Sequence, residues 1–167
     1  MLEPFTIVVD TREQTPFTFG DTPTVVKGLK TGDYSILGLE SCVCIERKSL
    51  GDFVKCTTNN KKLKTFDRDR FERELVRMQE FPFRRVVIEA TIQDVLDHAY
   101  RSGVHPSSVV GSAISWDARY NIPFVWAGQY GAAYTLRLLE KLHKHVTKAK
   151  ETGTDVKESQ EARMPRP

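Results

Sequence analysis

Short apolar runs separated by polar turns fill the first 50 positions of the chain. Residues 5–10, FTIVVD, form an apolar run of strand length that ends on a carboxylate, and the loop-like TREQTPF follows it. Residues 24–48 carry two or three further strand-like segments broken by glycines, a pattern typical of a hairpin or meander. In the last segment, period-two alternation places Cys42, Cys44, Glu46 and Lys48 on one face, and Val43, Ile45 and Arg47 on the other. Glu46 and Lys48 are therefore expected to point the same way.

Helical periodicity dominates the remainder of the chain. Residues 66–80 predict a helix whose inward stripe is Phe71, Leu75 and Met78. The other predicted elements are a loop at 57–65, helices at 49–56, 91–100 (opened by a Thr91–Asp94 capping pair), 106–120 and 128–150, and strands at 84–90 and 122–127. This order predicts an α/β domain in which a mixed central sheet is flanked by helices on both faces.

The composition is that of a globular domain with a polar tail. The 167 residues are 40% hydrophobic and 28% charged, and no uninterrupted apolar stretch approaches the length of a membrane span. The N-terminus does not read as a secretory signal, so we expect an intracellular protein whose three cysteines are reduced. Residues 1–150 are expected to form the folded domain, and residues 151–167, which are charged and lack aliphatic periodicity, a disordered tail.

Positive charge is concentrated in one segment. The net charge is only +3, but between Lys55 and Arg73 seven basic residues face three acidic ones. Most charge runs are ordinary solvated surface, yet a loop and helix with this surplus also suit the tracking of phosphates. The candidate DNA-binding residues are Lys61, Lys62, Lys64, Arg68, Arg70 and Arg73.

Several carboxylates recur at the ends of the N-terminal strand-like segments. They are Asp10, Glu13, Asp33 and Glu46. If one sheet edge brings them together, their repulsion requires a neutralising cation, and hard oxygen ligands favour magnesium or manganese over zinc. Lys48, on the same strand face as Glu46, could orient a nucleophile and offset developing negative charge at a phosphate. Taken alone, Glu-x-Lys is as readily a solvated ion pair, and Asp10 a simple turn cap.

A longer pattern distinguishes between these interpretations. Val-Asp-Thr-Arg-Glu at 9–13, Gly-Asp-Tyr at 32–34 and Glu-Arg-Lys-Ser-Leu-Gly-Asp at 46–52 follow one another. The sequence thereby resembles the XPF-type (xeroderma pigmentosum group F) structure-specific endonucleases, whose signature is Gly-Asp, a variable gap, then Glu-Arg-Lys-x-x-x-Asp. Its fixed positions are filled by Gly32, Asp33, Glu46, Arg47, Lys48 and Asp52. The resemblance continues through Arg70-Phe71, Met78 and Val87-Ile88-Glu89, and covers about residues 5–146.

The resemblance implies a restriction-endonuclease-like fold and a set of roles. Asp33 and Glu46 would hold the metal with the main-chain carbonyl of Arg47, and Lys48 would assist the attacking water. The remaining implied site residues are Asp10, Arg12 and Glu13, which would complete the pocket, Asp52, which would brace the Arg47 and Lys48 region, and Arg70, which would meet the DNA backbone. Residue-level reasoning leaves open a purely structural pairing of Arg47 with Asp52 or Asp10. One position departs from the pattern, because Glu74 stands where the family usually has Gln.

The resemblance implies a magnesium- or manganese-dependent DNA endonuclease acting on branched or partly single-stranded DNA, such as flaps, forks or junctions. A non-catalytic DNA-binding or scaffold subunit, and a restriction-like or RNA-directed nuclease on the same fold, are the alternatives. The helix-hairpin-helix and helicase modules that family members usually append are not seen in this sequence, which leaves the substrate preference open. The C-terminal aromatic residues Trp116, Tyr120, Trp126 and Tyr130 favour core positions or a dimer face over base-stacking platforms. The resemblance implies dimerisation through the C-terminal helices, so a homodimer is expected.

Overall fold

The computed structural model describes residues 4–60 and 64–151 and confirms the α/β prediction. Its strands are β1 (Ile7–Val9), β2 (Thr24–Val26), β3 (Tyr34–Ile36), β4 (Val43–Ser49), β5 (Phe83–Glu89) and β6 (Phe124–Trp126). Its helices are α1 (Leu50–Cys56), α2 (Asp67–Met78), α3 (Ile92–Leu96), α4 (Pro106–Tyr120) and α5 (Gly131–Glu151), the last preceded by a 3-10 turn at Gly128–Tyr130. Most of the predicted charged tail, residues 152–167, lies outside the described residues.

The six strands of the described ranges form one mixed sheet in the order β2-β1-β3-β4-β5-β6. β3 is antiparallel to both of its neighbours, whereas β1–β2, β4–β5 and β5–β6 are parallel pairs. The predicted meander is therefore only partly right, because β3 and β4 form a hairpin but β2 lies outside β1 and parallel to it. The C-terminal ends of β1, β4 and β5 and the start of β3 consequently meet at one edge of the sheet.

Two apolar layers cover the sheet. On one face, α1, α2, α3 and α4 pack over Cys44, Val86 and Ile88. On the other face, α5 and the loop around Phe19 pack over Ile45 and Val87. The alternation predicted in β4 is confirmed, since neighbouring side chains of this strand enter different cores.

Local sequence explains where the helices begin. Ser49 caps α1 by accepting a hydrogen bond from the backbone N–H of Asp52, and the capping box predicted between Thr91 and Asp94 is present at the start of α3. The inward stripe predicted for α2, Phe71, Leu75 and Met78, is buried. Each helix thus presents its apolar side to the sheet at a fixed rotation.

The C-terminal aromatic residues divide between core and surface. Trp116 and Tyr120 are buried, Trp126 is partly buried, and the side chain of Tyr130 is 66% exposed. The three cysteines are free, as predicted. Within the described ranges, no helix has the length and apolar character needed to cross a membrane.

Candidate active site

Four chain segments meet where β1, β4 and β5 end. Asp10 follows β1, Asp33 precedes β3, Glu46 and Lys48 lie in the second half of β4, and Glu89 closes β5. Because β3 runs against its neighbours, its first residue, Tyr34, pairs with Val9 at the end of β1 and with Ile45, directly before Glu46 in β4. The sheet topology alone therefore collects these ionisable residues at a single edge.

Backbone contacts hold Asp33 from both sides. Its N–H donates to the carbonyl of Ile45 at 2.8 Å, and its carbonyl accepts from the N–H of Asp10 at 2.9 Å. Its carboxylate oxygen Oδ2 accepts from the N–H of Arg47 at 2.8 Å. Burial raises the pKa of Asp33 to about 6, although the Arg47 N–H and the Lys48 ammonium act in the opposite direction.

Glu46 and Lys48 form a pair on the face of the sheet that α1 to α4 cover. Glu46 is 3% exposed, and the Lys48 ammonium donates to its Oε1 atom. Burial raises the pKa of Glu46 well above its usual range, and the neighbouring carboxylates of Asp33 and Glu74 add to this effect, while Lys48 opposes it. Burial would lower the pKa of Lys48, but Glu46 and Glu74 outweigh it and raise that pKa. Lys48 therefore remains an ammonium.

α2 completes the surroundings of this ammonium. Oε2 of Glu74 lies 3.9 Å from the Lys48 nitrogen, and the Phe71 ring centroid lies 5.1 Å from it. The sequence pattern marks Glu74 as a departure from the motif and predicts Phe71 in the inward stripe of α2, but it does not place either residue beside Lys48. The helical spacing of the two residues, three apart on one side of α2, was the signal that could have placed both beside Lys48.

The side chains at this edge fit a hard divalent cation. Asp33 and Glu46 supply two carboxylates, and the raised pKa of each shows that the surrounding positive charge does not offset the effect of burial. Among residues 4–60 and 64–151, no group of three or more His, Cys, Asp or Glu side chains forms a complete metal site. Asp33 and Glu46 are the two side chains at this edge that could hold a magnesium ion, which commonly binds through one or two carboxylates and keeps several waters.

Arg47 points to the opposite face of the sheet. Its guanidinium donates to Glu89 Oε2 at 2.8 Å and to the carbonyl of Thr15 at 2.6 Å, lies 3.3 Å from Glu13 Oε1, and covers the ring of Phe17. The considered pairing with Asp52 or Asp10 is therefore wrong. Arg47 instead fastens the loop after β1 to the end of β5.

The carboxylate of Asp10 stabilises a loop. Oδ1 accepts from both the backbone N–H and Nε of Arg12, and Oδ2 accepts from the N–H of Leu29 at 2.6 Å. Burial acts to raise the pKa of Asp10, but these hydrogen bonds outweigh it and hold that pKa below its ordinary value. The turn-cap interpretation of Asp10 thus describes its side chain, and its link to Asp33 runs through the backbone.

Asp52 has a different local role from the one implied by the motif. Its carboxylate accepts from Ser49 Oγ at 2.8 Å and from the Lys55 ammonium at 3.0 Å, and its side chain is 60% exposed. The expected brace for Arg47 and Lys48 is therefore corrected to a contact that fixes the first turn of α1. Asp52 bears on Lys48 through the start of the helix that follows β4.

Comparison with known families decides the identity of this fold. A family model described as the ERCC4 domain matches residues 9–142. The chain belongs to the ERCC4 domain family. The predicted resemblance to XPF-type nuclease domains is confirmed by this match.

Two solved structures share the fold of this ERCC4 domain. XPF from Aeropyrum pernix in complex with DNA matches with a TM-score of 0.58 and 20% identity, covering 84% of this chain and 66% of that chain. A second structure, of XPF from Aeropyrum pernix, matches with a TM-score of 0.59 and 20% identity, covering 87% of this chain and 69% of that chain. The restriction-endonuclease-like sheet architecture is thereby confirmed. A comparison with curated protein sequences found no match.

The described candidate DNA-binding residues of the ERCC4 domain are either exposed or engaged within the protein. Lys64, Arg70 and Arg73 are exposed, whereas Lys61 and Lys62 lie outside the described residues. Arg68 is bound within the protein. Its guanidinium pairs with Glu72 at 3.1 Å, donates to the carbonyl of Thr57 at 2.9 Å and lies over the Trp116 ring. The expectation that Arg68 contacts DNA is therefore corrected to a structural role between α2 and α4.

Proposed function

We propose that this ERCC4 domain is a magnesium- or manganese-dependent DNA endonuclease that acts inside the cell and hydrolyses phosphodiester bonds in branched or partly single-stranded DNA. The observation that carries the proposal is the proximity of Asp33, Glu46 and Lys48 at the sheet edge, where Lys48 donates to Glu46 and the charges of Lys48 and Glu46 act on Asp33. Burying two carboxylates is unfavourable unless positive charge compensates them. In this fold the two carboxylates lie beside the Lys48 ammonium, and a bound cation would compensate them further.

Each residue of the pocket has a chemical task in this proposal. Asp33 and Glu46 would hold the cation, with the main-chain carbonyl of Arg47 as a further oxygen ligand. The bound ion would supply Lewis-acid polarisation of the phosphodiester. The Lys48 ammonium would orient the attacking water and offset negative charge that develops on the phosphate. Arg47, held by Glu89 and Glu13 on the other face, would keep β4 in place for all three.

DNA is the proposed substrate because of the surface that adjoins this pocket. α2 carries Glu74 toward Lys48 and the exposed Arg70 and Arg73 elsewhere on its surface. The structural relative XPF from Aeropyrum pernix is described in complex with DNA. A strand whose phosphates contact Arg70, Arg73 and Lys64 would lie beside the carboxylates. Such contacts carry affinity, not sequence recognition.

A homodimer through the C-terminal helices belongs to the same proposal. Ile114 of α4 is 65% exposed and Tyr130, just before α5, is 66% exposed, so apolar surface remains available on this part of the molecule. Light scattering of the purified chain over a range of concentrations tests the dimer. A strictly monomeric mass at the highest concentration would contradict it.

A cleavage assay tests the proposed activity directly. Wild type, Asp33→Asn and Lys48→Ala are incubated with single-stranded, duplex, flap, splayed and four-way DNA, in Mg²⁺, Mn²⁺ or EDTA. Wild type should cut a branched or partly single-stranded substrate only with a divalent ion, and both variants should lose cleavage while keeping the wild-type circular dichroism spectrum. Lys27→Ala, a change at a lysine that pairs with Glu40, serves as the matched control.

The outcomes of this assay discriminate between the functions considered. Cleavage by either variant at the wild-type rate would overturn the assignment of the site. DNA binding by wild type without cleavage of any substrate would favour the scaffold function. Cleavage of RNA versions of the same substrates, added to the assay, without cleavage of the DNA versions would show that RNA and not DNA is the substrate.

A further inference from the structure

The Lys48 ammonium has two carboxylate neighbours whose side chains differ in solvent exposure. Glu46 is its direct hydrogen-bond partner and is 4% exposed at its side chain, whereas Glu74 is 3.9 Å away and 22% exposed. The Phe71 ring lies under the same nitrogen at 5.1 Å. Lys48 therefore sits between a deep carboxylate and a shallower one.

The proposed function places two demands on Glu46. A cation held by Asp33 and Glu46 needs the oxygens of Glu46, and the ammonium of Lys48 already occupies Oε1. Two positive charges at one buried carboxylate repel each other strongly, because the surroundings are poorly solvated. An ammonium that left Glu46 without finding another partner would in turn be buried and unpaired. A second acceptor within reach of Lys48 resolves this conflict.

Glu74 meets the requirements for that acceptor. It lies on α2, and a shift of about 1 Å would bring its oxygen within ordinary hydrogen-bonding distance of Lys48. Phe71, one turn earlier on the same helix, stabilises a cation at either position through its ring face. A glutamine at this position would keep the shape of the side chain but would lose the charge that an ammonium prefers.

Resting on the proposed function, we infer that Glu74 is a positioning residue that receives the Lys48 ammonium when a divalent cation occupies Asp33 and Glu46. Glu74 is not a metal ligand in this arrangement. It acts through Lys48, by freeing Glu46 for the cation and by keeping the ammonium at the edge of the site where the phosphate would lie. The negative charge of Glu74 thereby couples ion binding to the position of Lys48.

A double-mutant cycle with Mn²⁺ as the probe tests this inference without measuring activity. The dissociation constant for Mn²⁺ is measured by electron paramagnetic resonance of the free ion for wild type, Glu74→Gln, Lys48→Met and the double variant. Glu74→Gln should weaken Mn²⁺ binding about tenfold, the scale on which residues that support metal ligands act. In the Lys48→Met background, the same change should alter the dissociation constant less than about twofold, because the ammonium is gone.

Two controls make the cycle specific. Glu80→Gln removes the same charge just beyond the end of α2, from an exposed pair with Lys30, and should leave Mn²⁺ binding unchanged. Thermal unfolding of every variant shows that each is folded at the temperature of the titration. In a crystal structure with Ca²⁺, the distance from the Lys48 nitrogen to the nearest Glu74 oxygen should shorten to about 3 Å.

The results separate failure of the inference from failure of the proposed function. Wild-type Mn²⁺ affinity in Glu74→Gln, or an equal loss in the presence and absence of Lys48, would overturn the role of Glu74 while leaving the metal site in place. No Mn²⁺ binding by wild type would overturn the metal-dependent function and this inference with it.

Discussion

The carboxylate of Asp33 accepts a hydrogen bond from the backbone N–H of Arg47 at 2.8 Å. This contact joins the two halves of the Gly-Asp and Glu-Arg-Lys motif across the β3–β4 hairpin. The first carboxylate of the site is therefore positioned by the main chain of β4, while the Arg47 side chain serves the opposite face of the sheet. The motif couples a partly buried acid to a strand backbone.

Gly32 should be intolerant of a side chain. Its φ is +81°, and an added Cβ would lie 2.7 Å from Cys44 Sγ and 3.1 Å from the Ile45 carbonyl oxygen. Gly32→Ala should lower the free energy of unfolding by about 3 kcal/mol or more, because a left-handed backbone and a steric overlap both oppose it. Gly38→Ala is the matched control, since Gly38 has a φ of +82° in open space, and should lose only about 1 kcal/mol in urea unfolding. Equal losses would contradict the packing argument.

Asp33→Asn should stabilise the protein above neutral pH. Burial raises the pKa of Asp33 from 3.8 to about 6, so the folded state binds this proton more tightly than the unfolded state does. Its contribution therefore makes wild-type stability fall as pH rises between about 4 and about 6. At pH 8 the variant should gain about 2 kcal/mol in the free energy of unfolding, and the gain should vanish near pH 4.

Metal linkage gives the same substitution a second signature. Mn²⁺ should raise the melting temperature of wild type at pH 8, because an ion that binds only the folded state stabilises it. The shift should be small at pH 5, where Asp33 is largely protonated, and small in Asp33→Asn at either pH. An equal Mn²⁺ shift in wild type and variant would show that the ion binds elsewhere.

Arg47→Ala should primarily reduce stability. The guanidinium is 16% exposed and is paired with Glu89 and Glu13, so its removal leaves partly buried carboxylates without a partner. We expect a loss of about 3 kcal/mol in the free energy of unfolding, measured in urea. Arg73→Ala, at an exposed position of α2, should change stability by less than about 0.5 kcal/mol. A stable Arg47→Ala protein would show that the network does not hold the loop after β1.

Lysines 61, 62 and 64 should contribute to DNA affinity through phosphates. Replacing all three by alanine should weaken binding and flatten the dependence of log K on log salt, by about 0.9 for each duplex phosphate that the protein no longer neutralises. The double variant Arg70→Ala, Arg73→Ala should likewise bind DNA more weakly and with a flatter salt dependence. Both variants are measured by fluorescence anisotropy at several salt concentrations.

Arg68→Ala distinguishes charge from structure in this segment. Because Arg68 joins Glu72, Thr57 and the Trp116 ring, its loss should lower the unfolding temperature and leave the salt slope unchanged. A flattened slope in Arg68→Ala would return this residue to the DNA-binding set. An unchanged slope in the lysine variant would remove the loop from it.

Local patterns in the sequence predicted the part of the site that depends on one strand. Alternation in β4 separates Glu46 and Lys48 from Arg47, and helical periodicity places Phe71 inward, so both placements follow from the amino-acid sequence. The contact between Arg47 and Glu89 does not, because it depends on the parallel register in which Arg47 faces Val87 and Ser49 faces Glu89. Such pairing joins residues far apart in the chain and has no local signal.

Charge counting failed for a related reason. Arg68 contributes to the basic surplus of its segment, but it pairs with Glu72 one turn along α2, and the packing of α2 against α4 places it over the Trp116 ring. The position of β2 was missed because a short strand can pair on either side of its neighbour, and here it lies parallel to β1 at the outer edge of the sheet. Packing between elements decides both outcomes.

The hairpin between β3 and β4 explains why the spacing inside the motif can vary. In the turn formed by residues 37–42, Gly38 is exposed and has open space around it although Leu39 is buried, while the contacts that fix Asp33 come from Ile45 and Arg47 beyond the turn. Inserted residues at this tip would lengthen a protruding loop without moving either carboxylate. A single insertion within Val43–Ser49 would instead exchange the occupants of the two sheet faces, sending Lys48 toward α5 and Arg47 into the pocket. Insertions and deletions are thus tolerated in the turn of the hairpin, but not in the strand that carries Glu46 and Lys48.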